Sequence, residues 1–128
     1  MRRVAVRMSD AEFESLVAEA VDGLPEPLRA RLENVDVVIS GEPTRDELER
    51  ADVGPGATLF GLYQGVPLTE RTGWYTFVMP DKITIYRGPI LRACADADEV
   101  REEVAVTVVH EIAHHFGISD ERLDELGW

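Results

Sequence analysis

Apolar residues recur at helical spacing near both ends of the chain, with β-type clusters between them. Phe13, Leu16, Val17, Ala20 and Val21 fall at three- and four-residue intervals, and Ser9 with Glu12 forms a capping-box pattern just ahead of them. These signals predict a helix from Asp10 to Asp22, closed by Gly23. Pro25-Glu26-Pro27-Leu28 offers proline at a helix start and predicts a short helical turn from Pro27 to Leu32. Val35, Val37, Val38 and Ile39 are β-branched and stop at Ser40-Gly41, the pattern of a strand. Thr44 with Glu47 repeats the capping box and opens a short, polar surface helix through Arg50.

Asp52-Val53-Gly54-Pro55-Gly56 is loop-like in composition. Three β-type segments follow: Thr58 to Gln64, Gly73 to Met79 and Lys82 to Arg87. The connections between them are short, which favours neighbouring and mostly antiparallel strands. Ile90, Leu91 and Ala93 predict another helical piece before Asp96. Asp96 is then an N-cap candidate with Glu99 three residues on, and acidic residues fill the first turn as the helix dipole favours. The helical pattern continues to Phe116, and Gly117 ends it as a residue able to take positive φ. Ser119 or Asp120 starts a last short helix carrying Leu123 and Leu126.

The second half of the long helix is apolar almost all round, as in a central packed helix. Between Glu103 and Asp120 the only charged side chain is Glu111, and all three histidines of the chain (His110, His114 and His115) lie in the same run. A carboxylate and clustered imidazoles are costly among apolar side chains unless something compensates them. A metal ion does so economically. His110-Glu111-Ile112-Ala113-His114 spells H-E-x-x-H, a helical zinc motif with a built-in base. At 100° per residue, His110 and His114 lie about 40° and one turn apart, so both can ligate one ion. Glu111 lies about 60° from His114 and flanks that ion, placed to take a proton from an activated water.

A catalytic zinc generally has a third protein ligand. Gly117 lets the chain fold back, and Asp120 follows three residues later, completing His110-Glu111-x-x-His114-x-x-Gly117-x-x-Asp120. Asp120 supplies a hard oxygen; its competing role is that of a plain N-cap for the last helix. His115 lies about 100° from His114 and cannot share the ion within a regular helix, which leaves it a packing or supporting role. Tyr63, Tyr75, Tyr86 and Arg71 are candidate donors to an oxyanion, and the sequence does not choose among them. Trp74 and Trp128 are most simply packing residues.

Composition narrows the partners. At 128 residues the chain is expected to be one domain, residues 1–128. A net charge of −12 argues against nucleic acid, whose phosphates recruit Lys and Arg. The lone Cys94 has no internal disulfide partner and is read as a buried small hydrophobe. The apolar run near the N-terminus, Val4 to Val6, is too short for a secretory signal, and no stretch has the roughly 18 apolar residues of a membrane span. A cytoplasmic protein with no membrane partner is the default expectation.

Three stretches carry a family resemblance: residues 55–71 (PGATLFGLYQGVPLTER), residues 80–87 (PDKITIYR) and the string from His110 to Asp120. In these the chain resembles the small, single-domain zincin-like metallopeptidases of bacteria, described as minimal metalloproteases. The resemblance implies Zn2+ held by His110, His114 and Asp120, with Glu111 as catalytic base. It also implies an α+β fold in which a small, mixed, mostly antiparallel sheet packs on a central active-site helix. The string is similar to that of metzincins with an aspartate ligand, but no methionine follows Asp120, so the metzincin methionine turn is missing. The expected activity is hydrolysis of a peptide or protein substrate, with an edge strand within residues 73–87 holding it by β-augmentation. Two alternatives stay open. One is a non-catalytic metal- or partner-binding module on the same scaffold. The other is a metal-dependent nuclease, which Glu111, the aspartate ligand and the acidic charge disfavour.

Overall fold

The computed structural model describes residues 6–30, 35–51, 59–64 and 81–127, with the side chains of Asp81, His114, His115 and Asp120 outside that description. Its element order is α1 (Asp10–Asp22), α2 (Glu26–Arg29), β1 (Val35–Ser40), α3 (Arg45–Arg50), β2 (Gly61–Gln64), β3 (Asp81–Tyr86), α4 (Arg87–Ala93), α5 (Ala97–His115) and α6 (Asp120–Leu126). The expected segment Gly73 to Met79 lies outside the described residues.

Local capping sets the helix starts. The Ser9 hydroxyl accepts from the Glu12 amide at 3.1 Å and begins α1. Thr44 and Glu47 form the full reciprocal box at α3: Glu47 N–H donates to Thr44 Oγ1 at 3.1 Å, and Thr44 N–H to Glu47 Oε1 at 2.9 Å. Asp96 caps α5 by accepting from the Glu99 amide at 2.9 Å. The turn expected from Pro27 begins earlier, at Glu26, because Pro25 is the cap and Pro27 sits inside the first turn. The strand expected through Arg87 ends at Tyr86, and α4 starts on the next residue.

The sheet is mixed, in the order β1-β3-β2. β1 runs parallel to β3, from Val35 opposite Asp81 to Ser40 opposite Tyr86, and β2 is antiparallel to it, with Gly61 opposite Ile85. β2 starts at Gly61 because its partner stops being a strand there: Tyr86 N–H still reaches Phe60 C=O at 2.8 Å, and beyond it the chain turns into α4. β3 is therefore central. Among the described residues β3 is not an edge strand, and the rest of the stretch expected to hold one, residues 73–80, lies outside them.

One sheet face is apolar and carries the core. Ile83 and Ile85, with Val35, Val37 and Ile39 beside them, join Phe13 and Val17 of α1 and Val100, Val104, Val108 and Ile112 of α5 in one cluster. The α5 residues repeat every four positions, which places them on one helix face. Each such buried side chain contributes about 1.5–3 kcal/mol relative to exposure. Cys94 is in that cluster, as expected of a small hydrophobe. Val106 departs from the all-round packing expected for α5: it is 50% exposed.

The opposite sheet face bears Asp36 and Lys82, both exposed, beside Thr84 and Tyr86, both buried. α3 covers its Tyr86 end, where the Tyr86 hydroxyl donates to Glu47 Oε2 at 2.5 Å. Among the described residues no helix is long and apolar enough to cross a membrane.

Candidate metal centre

Helix α5 carries the H-E-x-x-H string without a break, so His110 and His114 stand on it one turn, about 6 Å of rise, apart. His110 and Glu111 are half-buried. The helix then ends in a Schellman-type turn. Gly117 takes φ 72°, and Ile118 N–H donates to Ala113 C=O at 2.9 Å while Phe116 N–H reaches the same carbonyl at 3.0 Å. Positive φ suits glycine, whose missing Cβ removes the clash with the following carbonyl. Ile118 packs back on the core, and Ser119 is extended, with φ −78° and ψ 161°. A short extended link thus separates α5 from Asp120, the first residue of α6.

The last helix is capped by Ser119, whose hydroxyl accepts from Arg122 N–H at 3.2 Å. The capping role that competed for Asp120 is therefore filled by its neighbour. The side chains of His114 and Asp120 are outside the described set, and among the described residues no group of three His, Cys, Asp or Glu side chains gathers. The donor chemistry fits zinc: two imidazoles at i and i+4 on a continuous helix, and a carboxylate just past a tight turn.

Strand β2 braces the helix at Glu111, which periodicity alone could not show. A Cβ built on Gly61 would stand 2.6 Å from Thr107 Cγ2, 3.0 Å from Glu111 Cγ and 3.3 Å from the Thr84 carbonyl oxygen. Only a glycine lets the strand approach α5 this closely. Thr107 is buried and Glu111 lies one turn further along, so β2 runs along the flank of the helix that carries Glu111. On the other flank an open concavity of about 160 Å3 is lined by Ala105, Val106, Val109 and His110. The exposure of Val106 belongs to this apolar surface.

Tyr86, one of the candidate oxyanion donors, is fully buried, and its proton is engaged by Glu47. Burial, then the hydrogen bond to Glu47 and the nearby carboxylates of Glu47 and Glu111, hold the phenol far above its ordinary value. For Glu47, burial opposes the charged form, but the hydrogen bonds from Tyr86 and Thr44 outweigh it and the carboxyl is lowered. Tyr86 is thus a structural donor joining β3 to the cap of α3. Tyr63 is half-buried on β2, opposite Ile83. Tyr75, Arg71, Trp74 and Trp128 lie outside the described residues.

The model of the zincin-like metallopeptidase family matches residues 32–128, which span α5, the turn and α6. The chain belongs to that family. In fold it is similar to a conserved hypothetical protein from Thermo thermophilus, with a TM-score of 0.55 and 22% identity over 93% of this chain and 97% of that one. No curated protein matches the zincin-like chain.

Proposed function

We propose that this zincin-like chain is a zinc-dependent peptidase in which His110, His114 and Asp120 hold Zn2+ and Glu111 is the general base. The observation that carries the proposal is the turn at Gly117: it starts α6 at Asp120 and leaves the capping to Ser119. When bound, the ion supplies Lewis acidity, polarising a carbonyl and bringing the pKa of a water towards about 7. A carboxylate oxygen of Glu111 takes the proton of the attacking water and passes it to the leaving amine nitrogen. Gly61 and Thr107 hold the stem of Glu111 against β2, which limits where that carboxylate can reach. The apolar concavity beside His110 suits an apolar side chain of a peptide or protein substrate. The cytoplasm remains the compartment proposed for it.

One observation favours a second reading, a metal-binding module without catalysis. The concavity of about 160 Å3 beside His110 is smaller than the roughly 300–1,000 Å3 of ordinary ligand sites. Cleavage of a mixed peptide library by the zinc-loaded protein separates the two. The peptidase cleaves, and Glu111→Gln keeps its zinc while losing at least about 100-fold in turnover. Stoichiometric zinc with no cleavage of any peptide selects the binding module.

A further inference from the structure

A wide groove lined by described residues lies away from the metal helix, between α1 and β1. It encloses about 690 Å3. Its floor is Val17 and Val21 of α1 with Val37 and Ile39 of β1, and its α1 rim carries Glu14 and Asp22. Both carboxylates are on exposed residues. No cation lines it among the described residues; the guanidinium of Arg29 stands at one end, donating to the Asp22 carbonyl at 3.1 Å.

The groove opens at β1, an edge strand of the sheet that the described residues form. β1 is hydrogen-bonded to β3 on one side and has no partner strand on the other among the described residues. Sheet edges are ordinarily blunted by lysine, proline or a bulge, because their amides and carbonyls template further strands. β1, Val-Asp-Val-Val-Ile-Ser, contains neither residue, and its six-residue ladder with β3 is unbroken. Its one charge, Asp36, stands opposite Lys82 on the outer sheet face and does not line the groove. Among the described residues the edge is therefore open, apolar on its inner side and bordered by the carboxylates of Glu14 and Asp22.

We propose that the outer edge of β1 and the α1–β1 groove bind an extended, cation-bearing segment of another polypeptide, which adds to the sheet as a strand. Main-chain hydrogen bonds along roughly six residues, about 20 Å, hold the segment. Alternate apolar side chains enter between Val17, Val21, Val37 and Ile39, and lysine or arginine side chains meet Glu14 and Asp22. A second copy of this chain is a poor occupant, since two molecules of net charge −12 would bring acidic rims together. The surface is separate from the metal helix: β2, not β1, lies against Glu111. It holds a protein at a distance from the proposed zinc site and does not depend on the chemistry there.

The test is titration of the 15N-labelled full chain with two capped hexapeptides, one alternating valine with lysine and the other valine with aspartate. The valine–lysine peptide is expected to shift the amides of Val35–Ser40 and α1. Glu14→Lys with Asp22→Lys, at exposed positions that leave the core untouched, should weaken it about 3- to 10-fold. The valine–aspartate peptide should not bind at the same concentrations. Three results overturn the proposal: no shift in β1 at millimolar peptide, equal binding of both peptides, or shifts confined to β2 and α5. Self-association through β1 in sedimentation without peptide would assign the edge to a second copy and also overturn it.

Discussion

Replacing Gly61 with alanine puts a methyl carbon 2.6 Å from Thr107 Cγ2 and 3.0 Å from Glu111 Cγ. Carbon atoms rest about 3.5–4.0 Å apart, so about an ångström of movement is needed. Glu111 can swing its stem, but Thr107 is buried and its branched side chain has few rotamers in a helix. The Thr84 carbonyl, 3.3 Å from the new carbon, belongs to the β2–β3 ladder and cannot yield without loosening it. The expected cost is that of overpacking, about 1–3 kcal/mol, small enough to leave the protein folded. In a chain of this length that lowers Tm by about 4–12 °C. Urea unfolding measures it, and Thr107→Ser identifies its source: removing Cγ2 while keeping the hydroxyl should return at least about 1 kcal/mol in the double variant. Zinc stoichiometry should not change in Gly61→Ala, because neither Gly61 nor Thr107 is a proposed ligand. A Gly61→Ala protein within about 0.5 kcal/mol of wild type, with no coupling to Thr107→Ser, would refute the close approach of β2 to α5.

The remaining predictions address the sheet, the turn and the cap. Tyr86→Phe removes the proton donor to Glu47 and should cost about 1–2 kcal/mol in urea unfolding at neutral pH. The folded Glu47 carboxyl is lowered from 4.5, so its stabilisation is present above that value and is lost as pH falls through the folded one. The acid-side decline should accordingly be shallower in Tyr86→Phe; identical pH profiles would contradict the assignment. Gly117→Ala forces an L side chain to φ 72° and should cost about 1–2 kcal/mol by thermal denaturation. Ser119→Ala should cost about 1 kcal/mol through loss of the α6 cap while zinc stoichiometry stays at wild type. Asp120→Ala should do the reverse, weakening zinc binding with little change in apo-protein stability. Equal zinc affinity in Asp120→Ala and wild type would remove Asp120 from the ligand set.

Much of this fold is written in short-range signals. Asp10–Asp22, Arg45–Arg50 and the capping of α5 by Asp96 follow from side chains three residues apart, and Gly117 ends that helix by its own positive φ. The one-turn spacing of His110 and His114 along a continuous helix is legible in the same local way. What was hidden depends on residues far apart in sequence. The parallel pairing of β1 with β3 joins Val35 to Asp81 across a long stretch of chain, and nothing local in either strand names its partner. The start of β2 at Gly61 is decided by where β3 turns into α4. The same is true of Tyr86, whose hydroxyl meets Glu47 thirty-nine positions away. An apolar helix surface is equally mute about its neighbours: Val104 and Val106 read alike, yet one is buried and the other 50% exposed beside His110.

Anomalous diffraction at the zinc edge from crystals of the zinc-loaded protein tests the ligand set most directly. The proposed arrangement predicts one ion within about 2.0–2.2 Å of an imidazole nitrogen from His110, another from His114 and a carboxylate oxygen of Asp120, with Glu111 outside the coordination shell. An ion ligated by Glu111, or a shell that lacks Asp120, would contradict it.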